Sequence, residues 1–282
     1  MLMMRFWKKQ SDSFKHSFLI IIAYGISFGL GYLTRLSNPP IEITFYISEQ
    51  TKWVTYQLSL KDLLDLVFIG PIFTIFTFIL IRRILNKFRE RGISENKIVF
   101  AYIIYLLAIV LFNYGNITHV TMNRLNSQVI AEYSTTDFYY AIYYLDEFIG
   151  HHLITLGFFI IFVENCLLHT FNLGEGLKSS NMEPKLTRKE QNINYIFGIG
   201  LGIATSFAYL EGQCAFLFLL LNPIVAAILI VISKKQGISL KKNSLVILFL
   251  IMTVVFSIIV ILWGFIYGFK PYYPYFYQRS EI

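Results

Sequence analysis

The chain has 282 residues, of which 56% are hydrophobic and 15% charged, with a formal net charge of +7 and a mean hydropathy of +0.58. Soluble globular domains carry roughly 25% charge and roughly 45 to 50% apolar residues, so this composition excludes a water-soluble globule and requires lipid as a second apolar solvent. The 27 Phe and 19 Tyr suit lipid contact and interfacial belts. The two cysteines, Cys166 and Cys214, sit in apolar segments without metal-knuckle spacing and read as inert small hydrophobes.

In chain order, seven stretches are apolar enough to cross the hydrocarbon core, near 16–36, 63–82, 98–115, 144–168, 193–210, 214–232 and 244–267. Each approaches the ~20 helical residues that a core of about 30 Å demands. The sequence thus predicts an all-α fold, a polytopic seven-transmembrane helix bundle forming a single membrane domain over 1–282. Arg5, Lys8, Lys9 and Lys15 precede the first span, which runs on to Arg35 without a cleavage site and reads as an anchor. With the N-terminus cytoplasmic, 18 of the 24 Lys and Arg fall on the cytoplasmic side and 6 on the other. That bias predicts a cytoplasmic N-terminus and an outside C-terminus, with a plasma membrane as the expected location. The same topology explains the basic total by an anionic inner leaflet and removes nucleic acid as a partner.

Two outer connections are long. Residues 37–62 begin with Pro39-Pro40 and continue as an alternating run, which predicts either a small outer hairpin cap turning near Ser48 to Lys52 or an ordered loop. Residues 116–143 predict a short interfacial helix with Thr121 or Ser134 at turn or cap positions. Asp62 and Asp65 open the second span, where acids favour a helix N-terminus. Gly25 with Gly29, and Gly198 with Gly202, form small-xxx-small faces expected to pack closely against neighbouring helices. Asn222-Pro223 should bend the sixth span, and the closing PYYPYFY reads as an aromatic interfacial anchor.

The fourth span carries polar residues that lipid should exclude. Glu147 and His151 are four apart and share a helix face, whereas His152 is turned by roughly 100°. Asn165 and His169 repeat that face roughly 27 Å lower, after an apolar interval of Ile154, Phe158 and Phe162. Topology adds His119 and Glu211 at the outer depth. This donor set predicts a divalent transition metal, zinc first, held by His119, His151, His152 and Asp146. Glu147 or Asp146 completes the shell or orients a histidine, and Glu211 or Glu147 serves as the general base for a metal-activated water. Asn113 is a supporting residue. Glu164, Asn165 and His169 form an alternative inner proton or cation site, and His16 reads as solvated at the interface.

The helix count and donor chemistry resemble the seven-helix membrane hydrolases that include alkaline ceramidases and adiponectin-receptor-like proteins, which implies a zinc-bound water attacking a lipid amide. The H-x-x-x-H pair near the last helix of that class is missing, since the seventh span has no His, Asp, Glu or Lys, so no family is assigned. The functional expectation is an integral-membrane metal-dependent enzyme hydrolysing a lipid or small amphiphile at the non-cytoplasmic face. The alternatives are a proton- or cation-coupled transporter and a nonenzymatic membrane subunit that binds a partner protein.

Overall fold

A computed structural model describes residues 10–36, 40–47, 52–133, 135–178 and 186–267. The basic residues before Gln10, residues 48–51 where a hairpin turn was one expectation, Ser134 and the aromatic tail lie outside the described residues. Helix α1 (Asp12–Leu36) leads into strands β1 (Pro40–Ile47) and β2 (Lys52–Ser59). These pair antiparallel, with Ile43 opposite Tyr56. A short α2 (Leu60–Leu64), a π-helical turn (Asp65–Ile69) and α3 (Gly70–Glu90) follow, then α4 (Glu95–Tyr133). Next come α5 (Asp137–Tyr143), a second π-helical segment (Tyr144–Gly150), α6 (His151–Lys178), α7 (Arg188–Glu211), α8 (Ala215–Lys235) and α9 (Ser244–Tyr267).

Five helical segments among the described residues are long and apolar enough to cross a membrane: Glu95–Asn126, Asp137–Glu175, Arg188–Glu211, Ala215–Lys235 and Ser244–Tyr267. Their outward sides are apolar as well; Phe100, Leu106, Leu107 and Val110 of α4 are all exposed. Such a surface is stable only against hydrocarbon, and the chain is a multi-pass helical membrane protein.

Local chemistry explains several departures from the expected spans. Pro71 stands in the first turn of α3 and has no N–H to return to the preceding turn, so the helical ladder widens into the π turn just before it. Ser59 caps α2 reciprocally: its hydroxyl accepts from Asp62 N at 3.0 Å while its own N–H donates to the Asp62 carboxylate at 3.0 Å. The expected short interfacial helix after residue 116 does not stand alone. No proline interrupts the sequence there, and α4 runs unbroken for 39 residues, which places His119 inside a helix. The next helix starts at Asp137, earlier than expected, because the Thr136 hydroxyl accepts from Tyr139 N at 3.3 Å and caps it.

The glycine faces divide. A Cβ on Gly198 would lie 2.9 Å from Ile251 Cβ and one on Gly202 2.6 Å from Val255 Cβ, so α7 and α9 touch along that stripe. Gly25 and Gly29 face open space among the described residues, and the close packing expected of them is corrected. The tightest crossing instead joins α4 to α6. A Cβ on Gly115 would meet Ile154 N at 2.6 Å, and one on Gly157 would meet Ala108 O at 2.7 Å.

The centre of the bundle is aromatic. Phe73 packs on Phe112 and Phe158 with ring centroids 4.5 Å apart in each case. Tyr24 lies 4.8 Å from Phe158 and 5.4 Å from Phe162. The Tyr24 hydroxyl donates to the Phe158 carbonyl at 2.6 Å, which satisfies its only buried polar atom. This plug separates two polar regions at opposite ends of α6.

Candidate functional site

The first region forms where α4 crosses the second π segment. Gly150 has no side chain, and a Cβ there would lie 3.0 Å from His119 N. The two backbones therefore come close enough for His119 Nδ1 to donate to Asp146 Oδ1 at 2.6 Å. Asp146 is fully buried and Glu147 almost so. In an ideal α-helix adjacent residues diverge by about 100°; the wider π turn brings both acids inward, a geometry that regular periodicity did not reveal.

His151 opens α6 and lies against the same cluster. Its ring centroid is 4.3 Å from that of His119, and its Nε2 is 3.6 Å from Glu147 Oε2, beyond a direct hydrogen bond. The end of α7 closes the site: a Cβ on Gly212 would come within 2.5 Å of His151 Cβ. Glu211, the last residue of α7, and Lys61 of α2 both lie within electrostatic reach of Asp146. Lys61 is also ion-paired with Asp65, and the Asp65 carbonyl accepts from Asn116 Nδ2 at 2.9 Å.

The site thus gathers His119, Asp146, Glu147, His151 and the end of α7. It does not gather His152, whose ring stacks 4.1 Å from Phe148 and whose Nδ1 donates to the Phe148 carbonyl at 2.7 Å. Its expected place as a ligand is corrected, because one residue of helical rotation turns it out of the cluster. Asn113 is also elsewhere, donating to Thr74 Oγ1 at 3.3 Å across the α3–α4 contact. No group of three His, Cys, Asp or Glu side chains among the described residues forms a preformed metal cage.

The chemistry available follows from the His119–Asp146 pair. A carboxylate accepting from Nδ1–H fixes the imidazole tautomer and puts the ring's lone pair on Nε2, the atom that would ligate a metal or take a proton. Asp146 Oδ2 is buried without a hydrogen-bond partner, so this carboxyl retains unused acceptor capacity.

At the other end of α6 the expected inner group separates. Glu164 is buried with both carboxyl oxygens unpartnered, and Asn165 turns its amide N–H₂ to the Ile161 carbonyl at 2.8 Å. His169 joins a different network. The Ser13 hydroxyl donates to the Lys242 carbonyl at 2.8 Å and accepts from Ser244 N at 3.0 Å. It meets His169 Nε2 at 2.9 Å, while His169 Nδ1 meets His16 Nδ1 at 3.1 Å. Ser17, Asn194 and Ser244 extend the network with contacts of 2.9, 2.5 and 2.6 Å. His16, expected at a solvated interface, is 2% exposed and belongs to this core. The spacing of Ser13, His16 and Ser17 on one helix face was the available signal.

Asp12 sits beside this network, between Lys15 Nζ at 2.9 Å and Lys87 Nζ at 2.6 Å. Burial alone would raise its carboxyl, but hydrogen bonds and charge from Lys87 and Lys15 outweigh that and hold it well below the usual carboxylate range. The pairing therefore stabilises the fold above the unfolded value of about 3.9, and is lost as pH falls through the depressed folded value.

No family model matches this chain, and neither a curated protein nor a solved structure matches it.

Proposed function

We propose that the chain is a metal-dependent membrane hydrolase. In this reading it crosses a plasma membrane seven times, with the N-terminus cytoplasmic and the C-terminus outside, and acts on a lipid or small amphiphile at the non-cytoplasmic face. α1 and the α2–α3 run supply the two spans beyond the five apolar segments. The observation that carries the reading is the 2.6 Å contact between His119 Nδ1 and Asp146, because a carboxylate behind a histidine is the usual support of a metal-ligating imidazole. His119 through Nε2, His151 and Glu147 are the proposed ligands, brought together by rotation of rings already in contact. Zinc suits imidazole and carboxylate donors with one position left for water. When bound, it lowers the pKa of that water toward about 7 and makes it a nucleophile for a carbonyl carbon. Glu211 is the proposed general base, which would accept the water proton and return it to the leaving group.

Elemental analysis of the purified protein tests this directly. Wild type should carry about one zinc per chain, and His119→Ala combined with His151→Ala should carry none in the protein that remains folded. A wild-type protein that binds no transition metal, even after incubation with zinc, would overturn the proposal.

A second reading, a proton- or cation-coupled transporter, is favoured by Glu164. A buried carboxyl with both oxygens unpartnered is a natural carrier of a proton in a membrane interior. Flux in proteoliposomes that vanishes in Glu164→Gln would support it over the hydrolase.

A further inference from the structure

A cavity of about 310 Å³ opens between the start of α1 and the end of α3, away from the His119 cluster. Its walls hold three cations, Lys15, Arg83 and Lys87, with two acids, Asp12 and Glu90, and the Asn86 amide. His16 completes the lining.

The hydrogen bonds around His16 determine what its ring presents. Ser13 has one hydroxyl proton, and it goes to the Lys242 carbonyl, so Ser13 Oγ accepts from His169 Nε2–H. Both rings are buried, which favours their neutral forms. Neutral His169 then has a bare Nδ1, which accepts from His16 Nδ1–H. Neutral His16 is left with the lone pair on Nε2. A row of serine, histidine and backbone contacts thus leaves a proton acceptor on a residue that lines a cation-rich cavity.

Asp12 shows what the cations prefer. One carboxylate oxygen takes Lys15 and the other Lys87, yet the Asp12 side chain is 43% exposed and can leave without crossing a packed core. An oxyanion with more oxygens than a carboxylate could take both ammonium groups together with the Arg83 guanidinium, whose fork matches phosphate geometry. A phosphate hydroxyl would find its acceptor at His16 Nε2. Sulfate and carboxylate lack that hydroxyl near neutral pH. We propose that this cavity binds the phosphate group of a phosphomonoester, with Lys15, Lys87 and Arg83 on its anionic oxygens and His16 sharing its remaining proton. The group can come from a lipid headgroup at the adjacent leaflet or from a free phosphate in solution; the chemistry is common to both.

The shared proton gives a signature. The charged and titratable groups around His16 are Asp12 and Lys15 on its own helix, Arg83, Lys87 and Glu90 on α3, and His169 on α6. Near neutrality the phosphomonoester, with a second pKa near 6, is the group that titrates. Free ligand above that value is a dianion and free His16 is neutral, so binding takes up one proton whichever atom then holds it. Affinity should fall about tenfold per pH unit above about pH 7.

The test is calorimetric titration of the detergent-solubilised full chain with dihexanoyl phosphatidic acid, inorganic phosphate and dihexanoyl phosphatidylcholine. Phosphatidic acid should bind with the stated pH slope and phosphatidylcholine should not bind. Inorganic phosphate binding at similar affinity identifies the free anion as sufficient, whereas binding of phosphatidic acid alone identifies a headgroup site; either supports the proposal. Arg83→Gln with Lys87→Gln should weaken binding at least tenfold. Asp12→Asn, which removes the carboxylate that holds Lys15 and Lys87, should tighten it several-fold, a gain that a purely structural role for Asp12 would not give. His16→Gln should flatten the pH slope. Failure of both phosphate probes to bind, equal binding of the choline lipid, or a flat wild-type profile would overturn the proposal, and the last requires no variant.

Discussion

Gly115→Ala should be among the most damaging single-methyl additions in the bundle, lowering stability by about 3 kcal/mol. The new methyl would meet Ile154 N at 2.6 Å, Gly150 O at 2.8 Å and Leu153 Cβ at 2.8 Å. Two of these are backbone atoms, so no rotamer change relieves the overlap, and α4 must move away from α6. In lipid there is no hydrophobic drive to hold separated helices together, since the tails are as apolar as the side chains; close packing supplies the attraction that would be lost. His119 lies one turn beyond Gly115, and the same displacement would draw it from Asp146. Gly25→Ala is the internal control: its Cβ meets nothing within 4 Å among the described residues, and stability should change by no more than about 0.5 kcal/mol. Reversible unfolding in mixed detergent micelles measures both. Equal tolerance of the two changes would contradict the packing described for α4 and α6.

Asp146→Asn should reduce zinc affinity by about 10- to 100-fold without abolishing binding. The amide oxygen can still accept from His119 Nδ1–H, so the ring remains oriented, but the negative charge that strengthens His119 Nε2 as a donor is gone. His119→Ala removes the ligand itself and should lose binding altogether. A purely structural Asp146 would lower the melting temperature and leave zinc affinity in the surviving folded fraction unchanged. Competition with a chelator of known affinity separates these outcomes. Identical zinc affinities for wild type and Asp146→Asn would remove Asp146 from the metal site.

Much of the helical character could be read from the sequence because lipid imposes it: long apolar runs have few other folds available. The segments around residues 98–115, 193–210, 214–232 and 244–267 appear as long apolar helices, with ends extended by caps and charged turns. The seven-span count rests in part on residues 16–36 and 63–82. The helix Gly70–Glu90 brings Arg82, Arg83, Lys87 and Arg89 into its second half, and it is not among the five apolar segments.

The candidate cluster was legible where it followed regular helical spacing and obscure where it did not. Glu147 and His151 share a face by simple i,i+4 geometry, and His119 and Glu211 could be brought near them by counting helix ends. Regular spacing, however, favours Glu147 over Asp146 as the inward acid, and only the π segment turns both inward. The close approach of Gly115, Gly150 and Gly157 is likewise clear only once α4 and α6 are known to cross, although Gly150 and Gly157 are seven residues apart on one face. The pairing of His16 with His169 joins residues 153 apart in the chain. No local pattern encodes such a contact; it depends on how α1 packs at the end of α6.

The claim on which the functional account rests is that His119, His151 and Glu147 can hold one ion, with Asp146 behind His119. Zinc K-edge X-ray absorption on the loaded, purified protein examines those ligands themselves. The account predicts nitrogen and oxygen donors near about 2.0 Å, multiple-scattering features of two imidazoles, and no sulfur. A sulfur shell, a spectrum of fully hydrated zinc, or an unchanged two-imidazole spectrum in the His119→Ala and His151→Ala double variant would contradict it.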